Sequence, residues 1–169
     1  MPHKALAMIL ATLAPVAHSV EVTHGTSSGD VTATSAIIWA RCDQKAEVVV
    51  DIQPALGLAK TLQFSSKARA EDDFTARVPA QGLTPATLYR YDVRCKAKRR
   101  KSVPVSGIFR TAPMPEDNAS LTLLWSGDLA GQRYCRRPGV GYQIFGPMAA
   151  HHADFFVANG DMIYADNDC

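Results

Sequence analysis

Between Val20 and Thr111 the sequence is a succession of short runs of β-branched and aromatic residues, each closed off by a cluster of Gly, Pro, Asp or Ser. Runs this short, recurring at this spacing, restrict the segment to an all-β sandwich, because none is long enough to make an amphipathic helix of several turns. The expected strands are Val20–His24, Ser35–Arg41, Ala46–Gln53, Lys60–Phe64, Asp73–Val78, Thr87–Cys95 and Val103–Arg110. Trp39 falls mid-strand, where such sandwiches bury a large aromatic residue.

Gly82-Leu83-Thr84-Pro85-Ala86-Thr87-Leu88-Tyr89 sharpens that reading. In immunoglobulin-like and fibronectin type III sandwiches, a Tyr at the start of the sixth strand hydrogen-bonds back across the preceding corner, and Tyr89 occupies that place. The segment resembles a fibronectin type III-like domain. Cys42 and Cys95 end the second and sixth expected strands. They are candidates for a disulfide, with connectivity left open by spacing alone.

Ahead of the sandwich, residues 1–19 have the layout of a Sec-type signal peptide: Lys4, the apolar run Ala5–Leu13, the break at Pro15 and the small-x-small site Ala17-His18-Ser19, with cleavage expected before Val20. A buried N-terminal helix is the other reading. The run is shorter than the ~20 residues that a transmembrane helix needs. The expected location is therefore secreted or periplasmic, and four cysteines in such a chain imply two disulfides.

The chain of 169 residues is 47% hydrophobic and 20% charged, which excludes a disordered or collagenous polypeptide. Its 18 basic side chains include one in residues 1–19, which leaves 17 against 16 acidic, too even a balance for a global nucleic-acid field. The basic charge is concentrated in Arg94–Lys101, with six cations in eight residues, leaving 11 basic against 16 acidic residues elsewhere past residue 19. This run is expected to form the hairpin between the last two sandwich strands, a solvated loop by default, with attraction to an anionic substrate or envelope polymer as the other reading.

Residues 113–119 form a Pro-rich, polar linker, after which the pattern changes. Leu121–Trp125 and Asp154–Asn159 are apolar runs of the kind found in buried parallel strands, and a helix is expected between them over Gly141–His151. Strand, helix and strand make a βαβ unit and demand a parallel sheet. Each strand is followed by Gly-Asp, as Gly127-Asp128 and Gly160-Asp161. Ligands of open α/β sheets bind beyond the carboxyl ends of the strands, so two converging carboxylates there suggest a metal site. Tyr164 is close enough in sequence to add a phenolate oxygen suited to a hard cation.

Ser126-Gly127-Asp128 and Gly160-Asp161-Met162-Ile163-Tyr164 resemble the first two motifs of the calcineurin-like metallophosphatases, in the Gly-Asp-x-x-Tyr variety shared by purple acid phosphatases and PhoD-type alkaline phosphatases. The PhoD type is the more similar. Its N-terminal domain resembles His24-Gly25 through Ser28-Gly29-Asp30, Ala36-Ile37-Ile38-Trp39-Ala40-Arg41 and Gly107-Ile108-Phe109-Arg110-Thr111-Ala112-Pro113. Tyr134-Cys135, Gly141-Tyr142-Gln143-Ile144-Phe145 and Asp154-Phe155-Phe156 extend the likeness.

The resemblance implies a mainly β chain: a fibronectin type III-like sandwich over residues 20–112, then over 120–169 the first βαβ unit of a truncated α/β metallophosphatase domain. It implies a pair of divalent or trivalent metal ions, iron and calcium, with Asp128 on one metal, Asp161 bridging both and Tyr164 on the first. A metal-bound hydroxide would then attack the phosphorus of a phosphate mono- or diester. Two positions depart from the wider pattern. Ala130 stands where the superfamily usually has His, and Asp128 stands where the best-known PhoD branch has Cys. The family's later Gly-Asn-His motif and further His loops do not occur in these residues, so the 169-residue piece is expected to be inactive. Cys135 and Cys169 would pair if the loops after the two motif strands meet. The competing reading is a secreted, non-catalytic β-sandwich binding module with a vestigial phosphatase segment.

Overall fold

Burial alternates residue by residue along β2 (Ser35–Cys42) and β3 (Ala46–Pro54) in the computed structural model, which describes residues 19–57, 60–129 and 137–162. That period of two follows from strand geometry, in which successive side chains face opposite sides of the sheet. Ala36, Ile38, Ala40 and Cys42 point inward from β2, and Val48, Val50 and Ile52 from β3. The chain divides into two compact units, residues 1–115 and 116–169.

In the first unit, β1 (Val22–Gly29), β2 and β5 (Thr75–Gln81) make one antiparallel sheet. The other contains β4 (Leu62–Ala68), β3, β6 (Leu88–Ala97) and β7 (Arg100–Lys101), in that order, with β8 (Val105–Arg110) also paired to β6. The two inner faces share one core, to which β5 adds Val78 and the second sheet adds Tyr89, Tyr91, Val93 and Phe109. Each fully buried valine or isoleucine stabilises the fold by about 1.5–3 kcal/mol relative to exposure. Cys42 of β2 and Cys95 of β6 are fully buried and disulfide-bonded, with Cα atoms 5.9 Å apart, so the bond links the two sheets through the core. This is the fibronectin type III-like sandwich expected from the sequence.

Several details differ from expectation. Trp39 is only partly buried, because the inward phase of β2 belongs to Ala36, Ile38 and Ala40. β1 runs on to Gly29 through a register shift between Val22 and Thr26, so Ser28 and Gly29 close a strand, and Asp30, at φ 47°, makes the turn. The last strand is split. Pro104 has no N–H for the ladder, and the hydroxyl of the buried Ser102 accepts the Cys95 N–H at 3.0 Å where the pairing lapses.

The tyrosine corner is formed. The Tyr89 hydroxyl accepts the Thr84 N–H at 2.8 Å. Thr111, buried at the end of β8, braces the same corner: its hydroxyl donates to the Thr84 carbonyl at 2.6 Å and accepts the Thr87 N–H at 2.9 Å.

In the second unit, β9 (Leu123–Ser126) and β10 (Phe155–Ala158) pair in parallel, with Leu123 beside Phe155 and Ser126 beside Ala158. Asp154 sets this register, since its N–H donates to the Thr122 carbonyl and its carboxylate accepts the Thr122 N–H, both at 2.9 Å. The helix between them, α1 (Phe145–Ala150), is shorter than expected: Gly141, at φ 74°, is outside helical space, and the helix begins only at Phe145. Leu123, Trp125, Phe155 and Val157 are exposed on this two-stranded sheet. Among the described residues no helix is long and apolar enough to cross a membrane.

Candidate functional site

Parallel pairing brings the two Gly-Asp loops to the same end of β9 and β10. Two backbone hydrogen bonds continue the pairing past the strands: the Asn159 N–H donates to the Ser126 carbonyl, and the Leu129 N–H donates to the Asp161 carbonyl, each at 2.8 Å. The second ties the residue after one motif aspartate to the backbone of the other. Neither residue type nor spacing announces this link, which exists only once the strands are in register.

Asp128 and Asp161 adopt the same uncommon conformation, with φ of 52° and 50°. Asp tolerates the left-handed region better than most residues because its short side chain can hydrogen-bond locally. Both are solvent-exposed. The glycines before them are not equivalent. Gly160, at φ 94°, occupies a conformation that a side chain would strain, whereas a Cβ on Gly127 would meet only ordinary contacts, the nearest being the Gly160 carbonyl oxygen at 3.6 Å.

The donor set fits part of a hard-cation shell, since both side chains offer carboxylate oxygen from neighbouring loops. Among the described residues no group of three or more His, Cys, Asp or Glu would hold a metal ion. Tyr164, the third expected donor, lies outside the described residues, as do Cys135 and Cys169 and the expected signal segment up to residue 18. His151 and His152 are exposed at the end of α1.

The family model described as PhoD-like phosphatase, N-terminal domain, matches residues 9–113. The chain belongs to the PhoD-like phosphatase family. A solved structure described as "Structure of PhoD" is similar to this PhoD-like chain at 24% identity and a TM-score of 0.63, covering 89% of it. The chain spans about 30% of the length of that one. A two-domain fibronectin type III segment from chicken tenascin is similar at 20% identity and a TM-score of 0.46, covering 54% of this chain and 49% of that one. No curated protein sequence matches the PhoD-like chain.

Proposed function

We propose that these residues belong to an exported, metal-dependent phosphatase that hydrolyses phosphate mono- or diesters, with the catalytic centre begun by Asp128 and Asp161. The observation that carries this reading is the parallel β9–β10 pair, whose two Gly-Asp loops are tied by the Leu129 N–H to the Asp161 carbonyl. In an α/β sheet this is the crevice end, where a ligand binds. Asp128 and Asp161 would hold a metal pair, iron with calcium in the resemblance, and Tyr164 would complete the first set of donors. When bound, such a pair supplies Lewis-acid stabilisation of charge on the phosphoryl oxygens.

The exposed apolar side chains of β9 and β10 support the same reading, because parallel sheets are normally covered on both faces and these strands fit beneath the further layers of a larger catalytic domain. The buried Cys42–Cys95 disulfide supports export to an oxidising compartment. Residues 1–169 alone supply the first two metal motifs only, so we expect no turnover from them.

The test has two parts. The purified 169-residue chain is equilibrated with iron and calcium salts and desalted, and retained metal is measured; Asp161→Asn is expected to lower retention at least about tenfold, and equal retention would overturn the assignment. The product of the whole reading frame containing these residues is expected to release phosphate from an aryl phosphate and to lose that activity with Asp161→Asn. Turnover by the 169-residue chain alone would refute its expected inactivity.

A further inference from the structure

The basic run Arg94–Lys101 forms the β6–β7 hairpin, and its cations do not simply radiate into solvent. With the β2–β3 turn and the end of β4 it frames a groove of about 600 Å³, whose lining includes Lys45, Lys67, Lys96, Lys98 and Arg100 against one carboxylate, Glu47. Strand register arranges Lys67, Glu47 and Lys96 in a row, which Lys101 extends beyond the groove lining. Lys67 pairs with Glu47, Glu47 with Lys96, and Lys96 with Lys101, so the four side chains share the outer face across β4, β3, β6 and β7. Three strand spacings separate the ends of the row, a span of about 14 Å.

Stability does not account for this choice of residues. Lys96 and Lys101 stand directly opposite one another, an arrangement of like charges that weakens a hairpin. Glu47 relieves it only in part, at 3.8 Å from the Lys96 ammonium and shared with the Ser65 hydroxyl. Lys98 opens the hairpin turn at φ 54°, a position for which Gly or Asn is preferred. Choices that break local rules without a structural gain are concentrated at functional sites.

We propose that this end of the sandwich is a docking cradle for a linear, phosphate-bearing polyanion, built from residues of the first unit alone. A single phosphate would reach only one end of a row about 14 Å long, whereas a polymer with repeating charges runs along it. Arg99 and Arg100 suit phosphate oxygens in particular, because the guanidinium fork can engage two at once. A bilayer fits less well: the cations rim a groove, and residues 97–101 carry no aromatic or large aliphatic anchor of the kind that interfacial segments use.

The test uses the whole 169-residue chain in EDTA, so that binding is read without metal and without hydrolysis, and its outcome is independent of the phosphatase reading. Fluorescently labelled long-chain inorganic polyphosphate is titrated at several salt concentrations, with orthophosphate and anionic phospholipid vesicles as parallel arms. Saturable binding that weakens steeply with salt is expected. The double variant Lys98→Gly/Lys101→Thr is expected to melt at a higher temperature than the natural chain, yet to bind about tenfold more weakly, with a log–log salt slope shallower by about 2. A more stable variant with unchanged affinity would overturn the proposal. So would orthophosphate competing as well as polyphosphate at equal phosphate concentration, or binding to vesicles without binding to polyphosphate.

Discussion

The Tyr89 hydroxyl accepts the Thr84 N–H at 2.8 Å while the Tyr89 ring stacks on Phe109 with centroids 5.5 Å apart, so one side chain joins the corner before β6 to the core beneath β8. Tyr89→Phe keeps the stacking and removes the acceptor. It is expected to lower unfolding stability by about 1–2 kcal/mol. Urea denaturation would show this as a lower midpoint at unchanged slope.

Gly107 lies opposite Tyr91, and the Tyr91 ring occupies the space that a Cβ on Gly107 would need. The ring is held there by Phe109, 5.9 Å away, and by its own burial. Gly107→Ala is expected to cost about 1–3 kcal/mol through overpacking. Gly29→Ala, in a strand where a Cβ meets nothing within 4 Å, is the matched control and is expected to be near neutral by thermal melting.

The Cys42–Cys95 disulfide closes a loop of 53 residues between two fully buried positions. Chain-entropy reasoning gives a stabilisation of about 4 kcal/mol for a loop of that length. Reduction in denaturant followed by refolding under reducing conditions is expected to leave a folded but markedly less stable sandwich. A melting temperature that does not fall would show that the reduced unfolded chain is already as restricted as the oxidised one.

Arg41 grips Asp73 with two charge-assisted hydrogen bonds, Nε to Oδ2 at 3.1 Å and Nη2 to Oδ1 at 2.9 Å. The hydrogen bonding and the charge of Arg41 hold the Asp73 carboxyl below its ordinary value of 3.8. A carboxyl depressed in the folded state contributes stability that is fully present above its unfolded pKa and is lost as pH falls through its folded one. The stability difference between the natural chain and Asp73→Asn is therefore expected to be constant at neutral pH and to close on acidification below 3.8. The exposure of the pair keeps this difference small. Denaturant midpoints measured across the acidic range check it.

Much of the sandwich was legible because its cause is local. Alternation along Ser35–Cys42 and Ala46–Pro54 marks strands wherever they pack, and the spacing from Gly82 to Tyr89 marks a corner that one hydrogen bond closes. The phase of that alternation was less legible. Trp39 and Ile38 are both apolar, and only the packing of the two sheets assigns the inward face to Ile38. The break after Lys101 was likewise hidden, since Pro104 announces a lost N–H but not that the Ser102 hydroxyl accepts the Cys95 N–H where the pairing lapses.

For the candidate site the division is similar. Two apolar runs, each followed by Gly-Asp, determined by themselves that two carboxylates belong at strand ends, because side-chain chemistry and strand period are properties of short segments. Whether those ends lie side by side is a property of register, which depends on hydrogen bonds between residues more than 30 positions apart, such as Thr122 with Asp154 and Leu129 with Asp161. The tertiary structure alone decided that, and it also set Lys96 and Lys101, two of the six cations of residues 94–101, in a row with Lys67 and Glu47 across four strands.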